Sequence, residues 1–580
     1  MKVARRTAWG LAICGLVGAG SLTAQNDAVL RQALQAELER SMNELALDGV
    51  AKPHFIGYTV HTDHQISVTA KHGGLGTMNT SRTRRLEIEI RVGTPALDNS
   101  NFISQSIRNR RTNVSLPLTN DYDLLRKQIW LATDRAYKNA VEVYAAKEAA
   151  MQNSQQEPTA DFSIEHPHVF DDKRRSPDLD SNDVRRVARE LSKIGADLPF
   201  IYDRNVSVFA NKHLDLYLNS EGSYFTRIDD TAYIRATAWS QSADGRYISD
   251  YVNLVGRNWK ELADLRTIKR QVRAMHDRLK AVSEAEPLDR YNGPVLFQGQ
   301  AAAELIGQSL AANFVNFKHP VFESENIAAM FNRAIPKSSL KERLGARVLP
   351  RSWSVYDDPT QETFNGASLV GHYPVDSDGL KTRRVTLVEN GILKTLLTDR
   401  NPTQDIRHST ASNATGSNPS VSNLFIEATD GLSDPELKQM LLDIVEENGD
   451  EFGIRINLVA NPYVQISGIP SPFLGSQLGQ VLPALQAYKV YPNGEEELVR
   501  HVVVRTELLA ELRNLPGYSA KTSVHHTNYM FLGGDVSAVR DSVPVFVSIA
   551  TPDILIEDVT ISYPQGVVRS LPIISHPQSK

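Results

Sequence analysis

Asp376-Ser377-Asp378-Gly379-Leu380-Lys381-Thr382-Arg383-Arg384 leads into Val385-Thr386-Leu387-Val388, then Glu389-Asn390-Gly391, then Ile392-Leu393-Lys394. This stretch decides the reading of the second half of the chain. Its opening Asp and Gly residues have the chemistry of a turn. They also match the start of a calcium loop, but Leu380 stands at position five and the terminal Glu is absent, so the turn is preferred. Asn390-Gly391 between two apolar runs marks a hairpin. Upstream, Asp357-Asp358-Pro359-Thr360 reads as another turn or a substrate-facing loop.

Working outward, Pro294 to Phe297 reads as a strand and Ala301 to Phe314 as a helix. Pro287 to Gly293 is the best domain boundary. In the first half, Asp27 to Leu47 has helical spacing, and strand patterns run through Phe55 to Val68. Glycines 73, 74 and 76 mark a turn before Arg85 to Val92, which alternates as a half-buried strand does. Helices are expected over Tyr122–Met151, Asp183–Gly195 and Trp259–Glu286, with an exposed loop over Gln152–Asp180. Short strands are expected at 205–210, 214–219, 223–228 and 232–240. Downstream, Pro483–Val490 and Leu498–Arg505 flank the turn Pro492-Asn493-Gly494, and Val543–Ile549 and Ile554–Ile561 read as two strands.

The chain has 580 residues, 41% hydrophobic and 23% charged, which excludes a largely disordered or collagen-like protein. A net charge of −5 argues against a general nucleic-acid binder. Residues 1–24 read as an export signal: Lys2, Arg5 and Arg6, then an apolar run, then cleavage near Ala24. Arg5-Arg6 hints at the twin-arginine route, with an ordinary secretory signal preferred. The expected location is therefore periplasmic or secreted. No later stretch is long and apolar enough for a membrane span. The one cysteine, Cys14, lies in this leader, so disulfides, thiolate metal sites and cysteine nucleophiles are excluded from the mature chain.

Candidate chemistry is sparse. There is no His-Glu-x-x-His. His61 and His64 lie three apart in a strand pattern and face opposite sides, so they read as surface histidines. The adjacent pair His525-His526 meets the same difficulty, and His166-x-His168 sits in the polar loop. Gly307-Gln308-Ser309-Leu310-Ala311 has the outline of a nucleophile elbow but lacks the buried strand before it, so Ser309 reads as a helix residue.

The order of the second-half motifs, closing with Asn413-Ala414-Thr415-Gly416 and Ser422-Asn423-Leu424-Phe425-Ile426-Glu427, resembles the TldD/PmbA family of metallopeptidase-related proteins. Leu216 to Gly222 matches a first-half strand end of that family more loosely. The resemblance implies an α+β, two-domain architecture: an N-terminal α/β domain (25–287) and a strand-rich C-terminal domain (293–580). It implies a dimer enclosing a cavity for peptides or unfolded segments, homodimeric or heterodimeric with a TldD-like chain. It makes Asp376, Asp378, Asn413 and Asn423 candidates for substrate binding. Catalytic members carry His-Glu-x-x-x-His on the helix after the first C-terminal strand, and a cysteine near the C-terminus completes a zinc site. Here Ala303 and Gln308 fall at the two histidine positions, Glu304 is retained between them, and 533–544 holds no cysteine.

No cofactor is expected on that pattern, and Glu304 is expected as a solvated, vestigial catalytic carboxylate. Three functional readings follow. The first is a non-catalytic subunit paired with a zinc-bearing relative. The second is an active metallopeptidase whose zinc site is relocated to Glu304, His319 and His372. The third is a non-enzymatic envelope binding protein.

Overall fold

The computed structural model describes residues 19–46, 51–104, 111–152, 159–262, 264–331, 338–414, 416, 418–461, 464, 482–505, 508–529 and 545–563. Most of the expected leader and all of the cysteine-free segment 533–544 lie outside them. The fold is α+β, as the resemblance implies, and it is organised around two large sheets.

The first sheet has eight strands. Its centre is a long hairpin, Pro53–Lys71 and Gly74–Val92, joined through His72 and Gly73 in the left-handed region. Tyr58 and Val60 on one strand and Leu86, Ile88 and Ile90 on the other are buried on the same face. Each such aliphatic side chain contributes about 1.5–3 kcal/mol when fully buried. Helices α1 (Ala19–Glu44) and α2 (Tyr122–Met151) cover that face. Asp121 starts α2 by accepting from the Leu124 amide at 2.9 Å. Helices α3 (Ser181–Ser192) and α4 (Leu265–Glu284) cover the rest, each capped by an aspartate, Asp180 and Asp264.

Several elements differ from expectation. The strands expected at 205–210 and 214–219 are one strand, Asp203–Asn219, paired along its length with Pro53–Lys71. Helix α4 begins at Leu265 because Asp264 caps it there, while Trp259 donates Nε1 to Asp183 at 2.9 Å. The segment expected as an exposed loop holds a short strand, Val169–Asp171, and its Asp161 is buried against Lys147 and Lys318, 2.6 Å from each.

The second sheet has eleven strands. Five of its strands pair in a closed cycle: Arg290–Phe297, Gly453–Val459, Leu482–Val490, Val502–Val504 and Val545–Ser562. Val545–Ser562 is one strand where two were expected. Pro552 has no amide hydrogen to give, yet the strand continues because the partner Gly517–Tyr529 shifts register there and Ser519 Oγ accepts from the Asp553 amide. The hairpin of the opening stretch forms as read: Val385–Glu389 pairs with Ile392–Leu393, with Asn390 and Gly391 at φ 51° and 77°.

The two sheets meet through buried charge. Arg227 donates to the Val375 and Ala414 carbonyls at 2.9 and 3.0 Å. Arg400 grips Glu221 through two nitrogens at 2.6 and 3.0 Å. No helix among the described residues is long and apolar enough to cross a membrane.

Candidate functional site

Helix α5 (Gln300–Leu305) follows the first strand of the second sheet. Gly299 lets it start at φ 55°, with its amide held by Asp553 at 2.8 Å. Ala301, Ala302 and Ala303 are fully buried, so the helix lies flat in the core. The expected continuous helix to Phe314 is interrupted: Ile306–Leu310 widens into a π turn, and Ala311–Phe314 tightens into a 3₁₀ turn. Ser309 Oγ donates back to the Leu305 carbonyl, as a helix residue does, and no nucleophile elbow forms.

Glu304 is completely buried, not solvated. Its carboxylate is ringed by donors. Asn461 Nδ2 and Thr527 Oγ1 reach Oε1 at 3.0 and 3.1 Å. Gln308 Nε2 and the Tyr529 hydroxyl reach Oε2 at 2.9 and 2.8 Å. A carboxylate offers about four lone-pair sites, and these four donors account for them. His525 Nε2 stands 3.5 Å from Oε1. Burial pushes the Glu304 pKa up, but the His525 imidazole and the Asn461 and Gln308 amides outweigh it and hold it below the ordinary value. Gly307 makes the cage possible: a Cβ there would lie 2.0 Å from the Tyr529 hydroxyl.

This donor set does not fit a zinc ion. Zinc in a peptidase takes about three lone-pair ligands from the protein. Ala303 offers none. Gln308 spends its amide nitrogen on Glu304 and on the Ala460 carbonyl at 3.0 Å. The nearest imidazole, His525, is a single one from another element. The relocated set does not assemble either. His319 lies against the Pro320 carbonyl and the Phe322 ring, and His372 against the Pro359 carbonyl and Glu362. Among the described residues, no cluster with metal-ligand geometry contains Glu304, His319 or His372.

Asp376, Asp378 and Asn413 do come together. Asp376 Oδ1 accepts from the Asp378 and Leu380 amides at 3.1 and 2.9 Å, the turn read from the sequence. The Asn413 carbonyl accepts from the Ser377 amide at 2.7 Å. Burial, with Asp378 beside it, raises the Asp376 pKa well above the carboxylate range, and burial with Asp399 nearby raises that of Asp378. Asn423 stands apart: it ties the 358–371 loop together, donating to the Asp358 and Gln361 carbonyls and accepting from the Gly371 amide.

The sequence reading passed over one cluster. His61 is half-buried, not a surface residue, and its Nδ1 lies 2.6 Å from Asp215 Oδ1. His213 Nε2 lies 2.8 Å from the same oxygen, and its Nδ1 lies 2.7 Å from Asp63. Arg227 holds the other Asp215 oxygen at 2.8 Å. His64 faces the opposite side, paired across the strands with Arg82 and Lys212, as period-2 geometry requires. The available signal was the alternation His61-x-Asp63 and His213-x-Asp215 in two strand patterns.

Residues 291–447, which include α5 and the opening stretch, match the PmbA/TldA metallopeptidase C-terminal domain. The fold of the whole chain is similar to those of several solved structures. One is a proposed modulator of a DNA gyrase from Thermotoga maritima, with TM-score 0.57 at 14% identity, covering 93% of this chain and 100% of that one. Another is TldE from Thermococcus kodakarensis, with TM-score 0.57 at 14% identity, covering 91% of this chain and 100% of that one.

The matched domain and the shared fold both support the TldD/PmbA family. A third TldD/PmbA-like fold, a proposed modulator of DNA gyrase from Bacteroides thetaiotaomicron, has TM-score 0.57 at 13% identity and covers 94% of this chain and 100% of that one. No curated protein matches the sequence. Within the TldD/PmbA frame, Glu304 lies in the matched domain and its cage is completed from outside it, by Asn461, Thr527 and Tyr529.

Proposed function

We propose that this metallopeptidase-related chain is a non-catalytic subunit, which forms a cavity for peptides or unfolded segments together with a zinc-bearing TldD-like relative. One observation carries the reading: the retained Glu304 has its lone pairs engaged by Gln308, Asn461, Thr527 and Tyr529. A general base must reach the proton that it takes, directly or through one water. A carboxylate whose acceptor sites are filled by fixed donors, in a fully buried position, has none to spare. The leader at 1–24 supports a periplasmic or secreted setting for the assembly.

The test is peptide hydrolysis by the purified chain alone and after co-expression with a TldD-like chain. The expected result is no turnover alone, co-purification of the two chains, and hydrolysis by the pair that survives Glu304→Gln here. Turnover by the isolated chain that Glu304→Gln abolishes would overturn the proposal. Peptide binding with no partner and no turnover in any combination would replace it with the envelope binding protein.

A further inference from the structure

We propose that His61, His213 and Asp215 form a binding site for a zinc-class divalent cation on the first sheet, separate from Glu304. The three ligand atoms lie within 4.8 Å of one another. Their spacing is set by the most regular part of the fold: His61 is directly opposite Asp215 in the ladder, and Asp63 is directly opposite His213. All four therefore project from one face of two adjacent strands.

Two imidazole nitrogens and one carboxylate oxygen are a zinc-type set, with a fourth position open to water. The all-oxygen sites of calcium and magnesium are chemically different. The outer contacts are those that metal-binding histidines usually have. Asp63 holds His213 Nδ1 at 2.7 Å and so aims Nε2 at the site, and Asn211 fixes Asp63 at 2.8 Å. Arg227 holds the Asp215 oxygen that faces away from the imidazoles. The His61 and His213 side chains are 13% and 20% exposed, which leaves a way in for an ion.

A ring nitrogen or carboxylate oxygen must be free of hydrogen to take an ion, so affinity falls as the pH is lowered. The charged and titratable groups that face or flank His213 are Asp63, Asp215, His61, Arg227, Lys212 and Asp230. The Arg227 cation weakens the site relative to a purely neutral second layer.

The experiment is a cobalt(II) titration of the purified full chain, followed through visible absorption, with zinc(II) then added to displace the cobalt. One saturable equivalent is expected, weakening as the pH falls. His61→Ala and His213→Ala should each weaken it at least about tenfold, with the circular dichroism unchanged. His525→Ala, beside Glu304, should leave it intact. No saturable absorption in the unaltered chain would overturn the proposal without recourse to any variant. So would loss in His525→Ala with retention in His61→Ala, which places the ion at Glu304. Neither outcome depends on a partner chain or on peptide hydrolysis, so the subunit proposal stands or falls separately.

Discussion

Glu304 and Asp215 are both buried carboxylates with pKa values held below the ordinary range, and the two sheets reach that result by different chemistry. Around Glu304 the short hydrogen bonds come from neutral amides and hydroxyls, with His525 at the margin. Around Asp215 they come from Arg227 and two imidazoles. Neutral donors satisfy a charge without adding another group that titrates near neutral pH, and at the Glu304 cage the imidazole of His525 stands farther off, 3.5 Å from Oε1. Imidazole donors make the second arrangement depend on protons. Retaining a carboxylate therefore does not retain its chemistry; the neighbours decide what it can do.

The sharpest way to break this contrast is to remove one carboxylate. Glu304→Ala removes the acceptor that four buried donors share and leaves a cavity in the packing of α5, and should destabilise the chain by about 3–5 kcal/mol in chemical denaturation. Glu304→Gln should cost less, because an amide keeps one acceptor oxygen.

The second effect concerns the charged clamp. The His213 pKa is raised well above 6.5: burial opposes this, and Asp215 and Asp63 outweigh it. A raised folded-state value means that its stabilisation is fully present below about pH 6.5 and is lost as the pH rises through the folded value. Asp215 works in the opposite direction, losing its contribution as the pH falls below about 3.8. His213→Asn should therefore cost about 1.5–3 kcal/mol near pH 6 and clearly less near pH 9, measured by denaturation at both. Equal losses at the two pH values would erase the distinction between the clamp and the cage.

A smaller effect is expected at Gly307. Its Cβ would collide with Tyr529, so Gly307→Ala should cost about 1–3 kcal/mol. Combining it with Tyr529→Ala should give less than the sum of the two losses, since the clash is then gone; additive losses would show that Tyr529 does not close the cage. The smallest effect is expected for an exposed carboxylate. Glu496 pairs with Lys438 at 2.8 Å and also with Arg455. Lys438→Ala should change stability by less than about 1 kcal/mol, and high salt should remove even that.

What could be read from the sequence is what neighbours along the chain decide. The Asn390-Gly391 hairpin, the limits of Tyr122–Met151 and the Asp376–Gly379 turn all follow from local backbone chemistry. The burial of Glu304 does not, because its cage draws on Asn461, Thr527 and Tyr529, more than 150 positions away. His61 and Asp215 are likewise 154 positions apart, and only the ladder between two strands makes them neighbours. The continuity of Val545–Ser562 through Pro552 likewise depends on a partner strand, whose register shift accommodates the proline.

The strand Val545–Ser562 pairs with four others, Arg290–Phe297, Asn423–Ala428, Val502–Val504 and Gly517–Tyr529. Without it, each of those four strands loses a paired edge, and the apolar bed of α5 loses part of its cover. A chain clipped before residue 545 would therefore present several sticky edges at once. Quality control acting on this protein has a simple cue to read: whether this one strand is in place.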